Sequence, residues 1–172
     1  MKISKKIVYK NEWFQIIDTH YIKNKKNYFT IKMSDSSVIL PITPDNKILI
    51  IKQYRESLDD FSLELPAGFI DKHEKPIDAA KRELLEETGY SATDLKHLTR
   101  YYPVQGHNLQ YIDCFVATKL KKISEPKLDD DEFVTVEKIP LKKIISMIKS
   151  GKIMDSKTIC SVMIYASKKN IL

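Results

Sequence analysis

Gly68-Phe69-Ile70-Asp71-Lys72-His73-Glu74 and Arg82-Glu83-Leu84-Leu85-Glu86-Glu87-Thr88-Gly89-Tyr90, seven residues apart, decide the fold. Pro76 suits a first helical position, Asp78 a first turn and Gly89 a terminator, so a helix is predicted over 76–88. At ~100° per residue, Ile77, Ala80, Leu84, Leu85 and Thr88 form its expected buried stripe. Glu83, Glu86 and Glu87 fall on another side, within an arc of roughly 100°, where their carboxylates can converge. Like charges three and four apart weaken a helix, and its last turn is already the negative end of the dipole. A chain selected only for stability would carry Lys or Arg at 86 and 87, and local violations of this kind mark functional sites. Clustered carboxylates are hard oxygen ligands for Mg²⁺ or Mn²⁺, and a cation among them cancels their repulsion. On the helix alone, a solvated acidic face steadied by Lys81 and Arg82 is the competing reading.

Outward from this helix, the first third of the chain is strand-like. Residues 6–9, 13–17 and 28–33 are β-branched and aromatic, with polar stretches between them. Runs 37–42 and 47–51 flank Thr43-Pro44-Asp45-Asn46, a tight-turn sequence that predicts a hairpin. Phe61 to Leu65 is a short strand stopped by Pro66. Beyond the helix come strands at 98–102, 111–118 and from Phe133, the last preceded by an acidic loop over 124–132. Helices are expected at 141–149, ending at Gly151, and at 156–167. Strands on both sides of a central helix, with helices last, imply a mixed α/β sandwich and not a doubly wound sheet.

The chain has 172 residues, 42% apolar and 30% charged, with four glycines, which fits one folded domain and excludes disorder or collagen-like structure. No run approaches the ~18 apolar residues of a membrane span. No apolar signal segment follows Met1-Lys2-Ile3-Ser4-Lys5-Lys6, so a cytoplasmic protein without a membrane partner is expected. Two isolated cysteines make neither a disulfide framework nor a zinc site. The net charge of +6 comes from scattered lysines, which suit a phosphate-bearing small ligand as well as solvent and do not point to nucleic acid.

The two opening runs resemble the Nudix box: Gly, five residues, Glu, seven residues, then Arg-Glu-apolar-any-Glu-Glu-any-Gly-apolar. Every fixed position is filled in register, with Tyr90 where an aliphatic residue is usual. The resemblance implies a Nudix α/β/α sandwich with a mixed sheet, Mg²⁺ or Mn²⁺ as cofactor, and hydrolysis of a nucleoside diphosphate linked to another moiety. It makes Glu83, Glu86 and Glu87 the metal-binding acids, with the backbone carbonyl of Ala67 as a further ligand. It lets Gly68 form the tight loop before the helix, and makes Glu74 and Arg82 the pair that orients that loop.

Gln53-Tyr54-Arg55 and Leu63-Glu64-Leu65-Pro66-Ala67-Gly68 are similar to the ADP-ribose pyrophosphatase branch, as are Asp155-Ser156-Lys157-Thr158 and the strand-rich start. The branch implies a small N-terminal antiparallel sheet over 1–35 that makes a homodimer, and a hydrolase domain over 36–172. It implies a nucleoside diphosphate sugar as substrate, held by Trp13, Arg55 and Glu64, with ADP-ribose first among candidates. Trp13 either packs in the N-terminal sheet or stacks on the nucleobase; Arg55 either clamps a diphosphate or pairs with an acid. With Arg82, Glu86 and Glu87, Glu132 completes the catalytic set as a general base from a loop, where Asp131 competes and a solvated acid run is the alternative. Val104-Gln105 departs from the branch pattern and leaves the sugar nucleotide open. His107 reads as a surface histidine; His20, His73 and His97 have no supporting constellation; Cys114 is expected to be a buried strand residue. A house-cleaning nucleoside triphosphate pyrophosphatase and a non-catalytic ADP-ribose-binding regulator remain the alternatives.

Overall fold

The computed structural model describes residues 3–23, 25–127 and 134–172. Three strands open the chain as an antiparallel meander: β1 (Ile3–Lys10), β2 (Phe14–Tyr21) and β3 (Lys26–Met33). The rest comprises β4 (Ser36–Pro41), β5 (Lys47–Arg55), β6 (Asp60–Glu64), β7 (Ala67–Phe69), α1 (Pro76–Thr88), β8 (Tyr90–Tyr101), β9 (Ile112–Lys122), β10 (Val134–Pro140), α2 (Leu141–Lys149) and α3 (Ser156–Lys168). Two further sheets follow, ordered β7-β4-β9-β8 and β10-β5-β6. The first is mixed, because β4 runs parallel to β9 while its other pairs are antiparallel. The α/β sandwich with a mixed sheet is therefore the observed architecture.

β4 explains the layering. All six of its residues are buried, as expected of a strand covered on both faces. Ile39 packs with Ala80 and Leu84 of α1 and with Phe115 and Ala117 of β9. Its neighbours Val38 and Leu40 point the other way, into a cluster with Ile144 of α2 and Val162 of α3. Period-two alternation along one apolar strand thus glues helices to both sides of the sheet. Each fully buried Leu or Ile contributes on the order of 1.5–3 kcal/mol.

Several sequence expectations are corrected. The turn at Thr43-Asn46 forms, with Thr43 N–H on the Lys47 carbonyl at 2.9 Å, but its flanks make only the isolated Ile42–Ile48 bridge. They part into different sheets, because β4 is taken by β7 and β9, and β5 by β6 and β10. β7 was not foreseen; three residues beside a proline give too short a pattern to read. On α1 the buried residues are Ala79, Ala80, Leu84, Glu87 and Thr88, and Leu85 is exposed. Gly89 ends α1 as expected, at φ 72° with its N–H on the Leu85 carbonyl, and a Cβ there would fall on the Ser124 carbonyl.

The N-terminal meander is joined to the body through backbone. Ile31 donates to the His107 carbonyl at 2.8 Å, Leu109 donates back to Ile31 at 3.0 Å, and the exposed side chain of His107 takes no part. Among the described residues no helix is long and apolar enough to cross a membrane.

Candidate active site

The end of β5, strand β7, the C-terminal half of α1, the turn at Trp13 and Lys127 enclose a cleft of about 790 Å³. Arg82 organises its acidic wall. Its guanidinium donates to both carboxylate oxygens of Glu74, at 3.1 and 3.0 Å, and to the Phe69 carbonyl at 2.9 Å. The same group reaches Glu83 at 2.6 Å and Glu86 at 3.1 Å. Glu74 also accepts from the Asp71 N–H at 3.0 Å, so one acid ties the loop to itself and to the helix. The Arg82 contact holds the Glu74 carboxyl below the usual carboxylate range, and Glu74 in turn is the main reason the Arg82 pKa is raised.

Glu87 is only 5% exposed and accepts the Ala67 N–H at 2.9 Å. That bond fixes the residue before Gly68 to the helix. Gly68 itself is not in the left-handed region; the positive-φ glycines are Gly89 and Gly151. Its lack of a side chain also makes room for the helix: a Cβ there would fall on the Glu83 carboxylate. Glycine keeps that space for the acid.

Among the described residues, no three His, Cys, Asp or Glu side chains stand ready to hold a metal ion. Arg82 bridges Glu83 and Glu86, Glu87 accepts the Ala67 N–H, and all three glutamates line the same cleft. The donor chemistry still fits a hard divalent cation. Among the described residues, the cleft wall offers three glutamates on one helix face and no histidine or cysteine, with Gly68 leaving room at Glu83.

Arg55 pairs with an acid, and that acid is buried. Its guanidinium grips Glu64 with two bonds, at 2.8 and 2.6 Å, while about a third of the Arg55 side chain remains exposed to the cleft. Burial pushes the Glu64 carboxyl up, but Arg55 and Lys157 outweigh it and hold it at about 2. Lys157 bridges Glu64 at 3.1 Å and Asp155 at 2.7 Å. Asp155 caps α3 through the Thr158 N–H at 2.9 Å, and Thr158 accepts the Leu65 N–H at 2.8 Å. A charge network thus locks the strand before Ala67 to α3. Sequence reasoning noted Asp155-Ser156-Lys157-Thr158 without giving it a role; its capping spacing was the available signal.

Trp13 lies outside β2, correcting its placement at a strand start. Asn11 accepts the N–H groups of Trp13 and Phe14, at 2.9 and 2.7 Å, and this turn leaves the indole 62% exposed at the cleft. Asp131, Glu132 and Phe133 lie outside the described residues; Lys127, just before that stretch, donates its backbone N–H to the Glu86 carbonyl at 2.8 Å. His97, read as isolated, bonds the buried Asp113 at 2.9 Å together with Arg100, away from the cleft. Cys114 is buried, and burial pushes its thiol up to about 12.

Comparison with known proteins agrees with this geometry. The NUDIX domain profile matches residues 33–160. The ADP-ribose pyrophosphatase of Bacillus subtilis is 36% identical over 129 residues, 74% of this chain and 70% of that protein. The methanol dehydrogenase activator of Bacillus methanolicus is 38% identical over 125 residues, 72% and 68% of the two chains. The GDP-mannose pyrophosphatase of Yersinia enterocolitica is 30% identical over 132 residues, 72% and 69%. The crystal structure of an ADP compounds hydrolase superposes with a TM-score of 0.80 over 100% of this chain and 98% of that one, at 20% identity, and so shares the fold. The chain belongs to the NUDIX family, as a pyrophosphohydrolase.

Proposed function

We propose that the protein hydrolyses the pyrophosphate bond of a nucleoside diphosphate sugar, and that ADP-ribose, split into AMP and ribose 5-phosphate, is its substrate. The observation that carries this reading is the meeting in one cleft of the α1 glutamates, Arg55 and the exposed indole of Trp13. The B. subtilis relative, an ADP-ribose pyrophosphatase by name, supports the choice of sugar nucleotide.

Glu83, Glu86, Glu87 and the Ala67 carbonyl would hold Mg²⁺ or Mn²⁺, which when bound activates water and neutralises phosphate charge. Arg82 sets the spacing of the acids by tying Glu83 and Glu86 to the Glu74 loop. Arg55, steadied by Glu64, presents a fixed cation to the diphosphate. Glu132 is our candidate for the base that takes the proton of the attacking water. Chromatography of the products tests the reading: AMP and ribose 5-phosphate form in equal amounts, and exhaustive chelation stops turnover. Pyrophosphate released from nucleoside triphosphates with ADP-ribose untouched would make the protein a triphosphatase, and binding without cleavage would make it a regulator.

Trp13 offers the flat surface for the base. Base–aromatic stacking is worth about 1–3 kcal/mol, so Trp13→Ala should raise KM by roughly fivefold or more with little change in Tm. AMP should quench the fluorescence of this single tryptophan; unchanged emission together with an unchanged KM would leave the base to other residues.

The N-terminal segment 1–35 supplies the dimer contact in this proposal, beside a hydrolase unit over 36–172. Support comes from the exposed apolar residues of its sheet, among them Ile7, Val8, Tyr9 and Phe29. Light scattering at the mass of one chain would remove that part of the proposal.

A further inference from the structure

Gln53 lies on β5 two residues before Arg55, on the same face of the strand. It is 6% exposed and lines the cleft with Ala67, Gly68, Glu83, Glu86 and Glu87. Its side-chain Oε1 is shut off from solvent, and no donor among the described residues reaches it. A buried acceptor without a donor is costly, and its neighbour on that face, Ile51, is an ordinary core residue. By packing logic alone, position 53 calls for Leu or Met. An amide kept there points to a donor that arrives with a ligand.

The chemistry of the cleft narrows that donor. Ionised phosphates and carboxylates only accept. Arg55 keeps N–H groups beyond the two that grip Glu64, and Arg82 is occupied by Glu74, Glu83, Glu86 and the Phe69 carbonyl, but neither guanidinium reaches the Gln53 oxygen. An O–H remains. A hard cation of the Mg²⁺ type keeps several of its waters when carboxylates bind it, and each such water carries strongly polarised hydrogens. We infer that Gln53 is a positioning residue of this site: with its amide turned into the cleft, the oxygen accepts a hydrogen bond from a water carried on the divalent cation that the α1 glutamates hold. A neutral amide does not take a proton near pH 7, so Gln53 fixes the orientation of that water and leaves deprotonation to a carboxylate. This inference rests on the metal reading proposed above.

The test is Mn²⁺ binding without substrate, followed by electron paramagnetic resonance, together with the Tm of the metal-free protein. Gln53→Met keeps the length of the side chain and removes the acceptor. It should raise the metal-free Tm, because the orphaned oxygen is gone, and weaken Mn²⁺ binding about fivefold. Gln53→Glu keeps an acceptor at the same place and should bind Mn²⁺ at least as tightly as the parent. A purely structural Gln53 would give the reverse pattern for Gln53→Met, with earlier melting and unchanged Mn²⁺ affinity, and that result overturns the inference. Unchanged Mn²⁺ affinity with weakened AMP binding also overturns it, since the donor is then a substrate hydroxyl. If Gln53→Met does not fold, Gln53→Glu decides: Mn²⁺ binding weaker than the parent's overturns the inference. Failure of the parent itself to bind Mn²⁺ would instead remove the metal reading, and this inference with it.

Discussion

Glu87→Gln should lower kcat by about a hundredfold or more while the protein melts no earlier than the parent. The amide has the size of the carboxylate and keeps an oxygen that can accept the Ala67 N–H, so the tie between the Gly68 loop and α1 survives. What is lost is a negative charge in a nearly closed position, 5% exposed, on the helix face that also carries Glu83 and Glu86. Charge stabilisation by a bound cation is worth several kcal/mol, and each 1.36 kcal/mol is tenfold in rate, which sets the size of the expected loss. Removing a buried like charge relieves repulsion in the metal-free protein, so Tm should hold or rise by roughly 1–3 °C. Rate measurements beside thermal melts check both halves. A kcat equal to the parent's would show the helix to be only an acidic surface.

Gly68→Ala should separate activity from stability in a different way. The backbone at Gly68 is not left-handed, so alanine fits the main chain, and the atoms nearest the added methyl are those of the flexible Glu83 carboxylate. Glu83 can swing aside at small cost, and alanine narrows the unfolded ensemble, so stability should change by less than about 1 kcal/mol. The carboxylate cannot stay where it is, however, and a misplacement of about 1 Å near reacting groups can cost roughly a hundredfold. Adding Glu83→Gln to Gly68→Ala should then cost little more, because both changes disable the same group. Independent, multiplying losses would mean that Gly68 acts through something other than Glu83.

The helix face of the candidate site is legible in the sequence because its logic is local. Glu83, Glu86 and Glu87 share a helix face by spacing alone, and Gly89 marks the helix end by its own backbone preference. Glu87 buried where Leu85 was expected could not be read that way, since which half of a stripe faces inward depends on the strand beneath it. The separation of β4 from β5 was likewise invisible: a tight turn between two apolar runs is the same text whether the runs pair or part. The Glu64–Lys157 bond joins residues 93 positions apart, and only the folded chain relates them. Trp13 was misplaced because Asn11, not strand periodicity, sets its backbone.

The parallel pairing of β4 with β9 has a kinetic consequence. Val38 lies beside Cys114, so the intervening chain, which contains β7 and all of α1, is a single long excursion between two neighbouring strands. Closing such an excursion costs entropy before any contact returns it, and chains dominated by such pairings fold slowly. During synthesis the acids of α1 emerge well before β9, the strand that supplies Phe115 and Ala117 to their packing. That helix therefore has only part of its seat until then: a nascent chain stopped short of β9 carries the whole motif with Ile39 of β4 beneath it but without Phe115 and Ala117.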